Sequence, residues 1–163
     1  AGNVIGGGDF SPHRIMPDCL RAALAKKPIE VRCPESVRPY QHVLEPLFAY
    51  LLIAEVQYKN ANLAGSYNIG PAECDAVTTS ELVMMFTDIW GEGLSWQSSE
   101  SGNGHEAGLL RLDSSKLRQT LGWQPRLSIA EAVRLTVEWG KTWRDGCDVG
   151  ECMERQIDGY SRG

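Results

Sequence analysis

The chain has 163 residues, 42% of them hydrophobic, with 16 basic and 21 acidic side chains for a net charge of −5. That hydrophobic share suffices for a packed core and excludes a disordered chain. The acidic balance argues against nucleic acid or an anionic membrane as partner, and the apolar runs fall far short of a membrane span.

Cys19, Cys33, Cys74, Cys147 and Cys152 are odd in number and never spaced C-x-x-C. This speaks against a disulfide framework or a structural zinc site and for free thiols in a reducing cytoplasm. A Cys147–Cys152 bridge is the alternative. No signal peptide is visible, and Ala1 in place of Met reads as a cut from a longer chain.

In chain order, Val4 and Ile5 end an apolar stretch at the turn Gly6-Gly7-Gly8-Asp9. A helix is predicted over 14–26, with Ile15, Cys19, Leu20, Ala23 and Leu24 on one face and Pro17 in its first turn. Ile29, Val31 and Cys33 alternate as a strand, and 37–43 reads as a second strand. Pro46 then opens a helix whose buried face is expected at Leu47, Tyr50, Leu51 and Ala54. Residues 65–71 read as a short strand closed by a turn. Thr78-x-x-Glu81 and Ser128-x-x-Glu131 are capping boxes, opening helices that reach Trp90-Gly91 and about Trp143. Between them lie a strand candidate at 94–97, a polar loop over 98–108, a strand candidate at 109–112, and a helix capped by Asp113 and stopped at Gly122. The periodicity fades after Asp145, so 145–163 reads as a tail. The sum is a small mixed α/β subdomain over 1–144, without the run of parallel strands of a complete nucleotide fold.

Few constellations carry chemistry. Gly6-Gly7-Gly8 lacks the helix-opening third glycine of a dinucleotide fingerprint. His13, His42 and His105 are too scattered for a metal site, and no G-x-S-x-G elbow is present. Arg38 starts an aromatic-bearing strand just after a loop. It is either a surface arginine on a strand edge or a planar fork of donors for two phosphates. Asn3 before the glycine turn is similarly either a backbone cap or a ligand contact. Asp113 is explained by helix capping and the five tryptophans as core or subunit contacts.

Taken together, Ala1-Gly2-Asn3-Val4-Ile5-Gly6-Gly7-Gly8-Asp9, Arg14-Ile15-Met16-Pro17, Arg38-Pro39-Tyr40-Gln41-His42-Val43-Leu44-Glu45-Pro46, Tyr67-Asn68-Ile69-Gly70-Pro71, and Leu112-Asp113-Ser114-Ser115-Lys116 through Leu121-Gly122-Trp123-Gln124-Pro125 resemble the C-terminal half of the extended short-chain dehydrogenase/reductases that act on nucleotide sugars. The opening glycine stretch, the Arg38 block and His105-Glu106-Ala107 look like the 4,6-dehydratases among them. The resemblance implies a substrate-binding subdomain of an NAD-dependent hydro-lyase. That enzyme would convert CDP-glucose, or a related sugar nucleotide, to a 4-keto-6-deoxy product used in bacterial surface polysaccharides such as lipopolysaccharide O-antigen. Carried over by position, Asn3 and Arg38 would contact the diphosphate. Arg14 and Ile15 would lie beside the nucleotide, Val31 and Arg32 would border the base, and His105 would close the site.

The family's glycine fingerprint, its Tyr-x-x-x-Lys pair and its acid/base carboxylates belong to the preceding half. Here Tyr40, Tyr50, Tyr58 and Tyr67 are followed four places on by Leu44, Ala54, Asn62 and Pro71. No catalytic residue, NAD site or metal site is therefore expected on this chain, and the parent is expected to be a cytoplasmic homo-oligomer. The rival expectations are a sibling epimerase or dehydratase for another base, and a stand-alone module that binds a nucleotide or a protein.

Overall fold

The computed structural model describes residues 1–99 and 108–162. In chain order these form β1 (Asn3–Ile5), α1 (Ile15–Leu24), β2 (Ile29–Val31), β3 (Val37–Arg38), β4 (Tyr40–His42) and α2 (Leu44–Lys59). There follow β5 (Val77–Thr78), α3 (Thr79–Trp90), β6 (Trp96–Ser98), α4 (Ser115–Leu121), α5 (Ile129–Arg144) and α6 (Val149–Arg162). The strands make three separate pairs. β1 lies parallel to β4 with Asn3 opposite Tyr40, β2 lies parallel to β6, and β3 runs antiparallel to β5 with Arg38 opposite Val77.

Proline decides the first departure from expectation. The predicted strand at 37–43 is split at Pro39, which has no N–H to give a ladder and a fixed φ. β3 therefore turns toward β5, while β4 beyond it joins β1. The chain over 65–71 forms no strand. It runs beside the β1–β4 pair, where the Ile69 carbonyl accepts from the Gly2 N–H and from Gln41 Nε2, both at 3.0 Å. The candidate strand at 109–112 reduces to one bridge, Leu109 against Val37.

The main core is built by α1, α3 and α5 over the β2–β6 pair. Cys19, Leu20 and Ala23 meet Ile29, Val31, Leu82, Val83 and Phe86, closed from the other side by Ala132, Val133 and Val137. Both capping boxes form in full, Thr78 with Glu81 and Ser128 with Glu131, so α3 and α5 start where the sequence predicts. Gly122, with φ +67°, ends α4 in the left-handed conformation that glycine adopts without steric cost. Asp113 stands one residue before the N-cap Ser114 and accepts from the Ser115 N–H at 2.8 Å.

A second cluster, Ala49, Ile69, Leu117 and Trp123, sits beneath α2. Here the predicted face was wrong. Leu47, Tyr50 and Leu51 are 50%, 49% and 70% exposed, and the buried residues of α2 are Glu45, Pro46 and Ala49. α2 is apolar nearly all round, so its sequence carries no stripe to choose a side.

The predicted tail is a 14-residue helix. α6 packs on α5 and buries Cys152, Gln156 and Tyr160. That stripe is one residue wide at i, i+4 and i+8, and its middle member, Gln156, is polar, which leaves only two hydrophobic positions to count. All five cysteines are free thiols, Cys152 buried and Cys147 exposed. Among the described residues no helix is long and apolar enough to cross a membrane.

Candidate functional site

A cleft opens where β1, the first turn of α1, the end of β2 and β3 converge. It is lined by Asn3, Arg14, Ile15, Val31, Arg32 and Arg38, six of the seven residues singled out from the sequence. The seventh, His105, lies outside the described residues. The cleft encloses about 160 Å³, less than the roughly 300–1,000 Å³ of a complete small-molecule site.

Each side chain reaches the cleft for a local reason. Asn3 is fixed because its N–H donates to the Pro39 carbonyl at 2.9 Å, just before the β1–β4 ladder begins. Arg14 occupies the N-cap of α1. It pairs with Asp9 at 3.1 Å and donates to the Val4 carbonyl at 3.5 Å, so it ties the glycine turn to the helix start. Ile15, the first helical residue, is half-buried. Val31 is fully buried in the core and offers the cleft little beyond its backbone. The exposed Arg32 donates to the His13 carbonyl at 3.0 Å. Arg38 is half-buried and donates from Nη1 to the Val37 carbonyl at 3.0 Å.

Three carboxylates share the cleft, and each is engaged. Burial alone would raise the Asp9 carboxyl, but the Ser11 hydrogen bond and the charges of Arg14 and Arg21 outweigh it and hold the group below the usual carboxylate range. Asp18 pairs with Arg21. Glu30 accepts from Gln97 Nε2 at 2.6 Å across the β2–β6 pair.

Sequence reasoning missed the hydroxyl group of this wall. Tyr40 and Ser36 line the cleft on either side of Arg38, together with Thr79 from the start of α3. Thr79 Oγ1 lies 3.0 Å from both the Tyr40 and the Ser36 hydroxyls and donates to the Ser36 carbonyl at 3.1 Å. The Ser36 hydroxyl donates to the Cys33 carbonyl at 2.9 Å. The spacing Ser36, Arg38, Tyr40 is an i, i+2, i+4 pattern, the signal that could have suggested a shared face. Thr79 carried no such signal, because its partners lie about 40 residues away.

The Gly6-Gly7-Gly8 turn does not fit a dinucleotide pyrophosphate. A helix N-terminus should follow at once, yet α1 starts only at Ile15. Gly7 instead packs onto the Trp139 indole, so closely that a Cβ there would sit 2.1 Å from the ring. A larger hollow of about 420 Å³ lies between α5 and α6, but Arg134 and Arg155 there both face Glu138, and none of the predicted site residues borders it.

No family model matches the chain. A CDP-glucose 4,6-dehydratase from Salmonella typhimurium LT2 is 40% identical over 161 residues, which is 98% of this chain and 45% of that protein. The chain thus spans just under half the length of the relative it matches. Among solved structures, a UDP-glucose-4-epimerase from Stenotrophomonas maltophila with bound NAD and formylated UDP-arabinopyranose superposes with a TM-score of 0.75 at 18% identity, covering 90% of this chain and 47% of that one. A UDP-glucuronic acid 4-epimerase from Bacillus cereus, in complex with UDP-glucuronic acid and NAD, gives 0.73 at 19% identity over 87% and 44%. A dTDP-glucose 4,6-dehydratase from Bacillus anthracis in complex with NAD gives 0.67 at 18% identity over 90% and 44%. These structural likenesses carry the fold, and the 40% identity carries the relationship in sequence.

Proposed function

We propose that this chain, a member of the extended short-chain dehydrogenase/reductases, is the C-terminal substrate-binding part of an NAD-dependent CDP-glucose 4,6-dehydratase. The observation that carries the proposal is the convergence of Asn3, Arg14, Arg32 and Arg38 on one cleft, in a chain 40% identical over nearly its whole length to a protein of that name. The cleft's job is orientation. A guanidinium fork at Arg38, with the Asn3 amide beside it, grips the diphosphate so that the hexose is presented to chemistry held elsewhere. NAD supplies that chemistry by taking up and returning a hydride, and its binding residues and the proton-transferring groups lie on the other half of the enzyme.

Two features support a missing half. The cleft has the volume of a partial site. The β1–β4 pair is parallel, and parallel sheets are found covered on both faces and continued by further strands. Within residues 1–144, the cleft wall is the nucleotide-sugar-binding unit.

The test has two arms. The 163-residue chain alone should bind no NAD and form no 4-keto product from CDP-glucose, while the full-length polypeptide carrying it should do both. Product formed by the pure chain would overturn the assignment of the chemistry to another half. Titrating CDP, UDP, GDP and dTDP into the full-length protein tests the base, with CDP expected to bind tightest. Preference for UDP would favour a sibling epimerase, the activity named for two of the fold neighbours.

A further inference from the structure

Arg38 is useful to a diphosphate only if its guanidinium is aimed, and a short strand interrupted by Pro39 is a poor platform for that. The residues on either side are tied down by one side chain from another part of the fold. Counting one proton per hydroxyl orders the contacts. Ser36 Oγ donates to the Cys33 carbonyl, Thr79 Oγ1 donates to the Ser36 carbonyl, and the Tyr40 hydroxyl donates to Thr79 Oγ1. The Thr79 N–H also donates to the Ser36 carbonyl at 2.9 Å. All three residues are buried, with Ser36 at 6%, Thr79 at 7% and Tyr40 at 3% exposure. Thr79 is itself held rigidly, as the first residue of a helix whose capping box is complete and which follows directly on β5, the partner strand of β3.

We propose that Thr79 is the positioning residue for Arg38: its hydroxyl pins positions 36 and 40 together and so sets the direction in which the Arg38 fork enters the cleft. The inference rests on the reading of the cleft as a diphosphate site. Thr79 Oγ1 is already engaged by the Tyr40 hydroxyl and the Ser36 carbonyl, so it acts through the arch it holds, and a small misplacement of a charge-assisted contact is costly because the geometry of a bidentate fork is narrow. Thr79→Val keeps the β-branched shape and the backbone N–H bond to Ser36, and removes the hydroxyl that accepts from Tyr40 and donates to the Ser36 carbonyl.

The test is calorimetric binding of CDP and of cytidine to the full-length polypeptide bearing Thr79→Val, Thr79→Ser, Tyr40→Phe, Arg38→Ala and the double variant Thr79→Val/Arg38→Ala. Thr79→Val should weaken CDP binding about tenfold, the loss of roughly one well-aimed charged contact, and leave cytidine binding unchanged. Thr79→Ser, which retains the hydroxyl, should bind CDP as the parent does. In the Arg38→Ala background the valine should cost nothing further, because the two residues act as a unit. Should Thr79→Val fail to fold, Tyr40→Phe decides, with an expected loss of about threefold for CDP alone. Unchanged CDP affinity in the valine variant, or the same loss with and without Arg38, would overturn the proposal. An Arg38→Ala protein with full CDP affinity would overturn the diphosphate reading and this proposal with it. A loss at Arg38 but none at Thr79 would sink the positioning role alone.

Discussion

The Tyr160 hydroxyl donates to Glu45 Oε2 at 2.9 Å across 115 residues of sequence, joining the last helix to the start of α2. Glu45 is 1% exposed. Its other oxygen accepts from the backbone N–H groups of Arg126 and Leu127 at 2.8 and 2.7 Å, so no carboxyl oxygen is wasted. The Arg126 guanidinium stacks over Phe48 and Tyr160 and donates to the Tyr160 carbonyl, which closes the joint. Burial, together with the adjacent Glu45 carboxyl, pushes the Tyr160 phenol well above its ordinary range, so it remains a donor at any physiological pH.

This joint makes a graded prediction for chemical denaturation of the chain. Tyr160→Phe removes one donor and should cost about 1–2 kcal/mol. Glu45→Ala takes the acceptor from two part-buried backbone N–H groups and from the phenol together and should cost about 2–4 kcal/mol. Equal losses from both substitutions would show that the backbone N–H groups find other partners.

The joint also marks how far the sequence could be read. Asn3, Arg14, Ile15, Val31, Arg32 and Arg38 were named from the resemblance, position by position, and one cleft borders all six. The capping boxes at Thr78 and Ser128 were legible in the residues themselves, because their signal spans only four positions. What was not legible depended on distant partners. Glu45 reads as a helix-start acid until Tyr160 is folded onto it, and Thr79 reads as a helix residue until Ser36 and Tyr40 arrive. Leu47, Tyr50 and Leu51 failed in the opposite way. In an apolar helix the buried face is chosen by what lies beneath, here Ile69, Leu117 and Trp123, and nothing in α2 itself encodes that choice.

Those three residues lead to a second prediction. The patch formed by Leu47, Tyr50 and Leu51, with Leu51 at 70% exposure, is of the kind that drives association when left bare. The 163-residue chain on its own should self-associate in sedimentation velocity at micromolar concentration. Leu51→Glu should return it to a monomer. The account puts this patch against the other half of the enzyme, so in the full-length polypeptide the same substitution should instead lower thermal stability. Monomeric behaviour of the parent chain at all concentrations would contradict this.

His42 provides a pH test. The imidazole is 2% exposed, Nδ1 accepts from the Leu44 N–H at 3.3 Å, and Nε2 is buried without a hydrogen-bond partner among the described residues. Burial lowers its pKa from 6.5 to about 4, so the folded chain holds it neutral. The unfolded chain takes up the proton first as pH falls. The stabilisation is therefore complete above pH 6.5 and is lost progressively toward pH 4, by about 3 kcal/mol in all. His42→Asn keeps an acceptor for Leu44 and removes the titration, so its stability should vary less with pH over that window. A parallel pH profile for the two proteins would remove His42 from the account.

The most direct test is calorimetric titration of CDP into the full-length polypeptide with and without Arg38→Ala, at a single ionic strength. If the half-buried fork beside Asn3 holds the diphosphate, the substitution weakens CDP by about 1.5–3 kcal/mol and leaves cytidine untouched. Identical CDP affinity in the two proteins would mean that the guanidinium grips no phosphate, and the cleft would lose its claim to a nucleotide sugar.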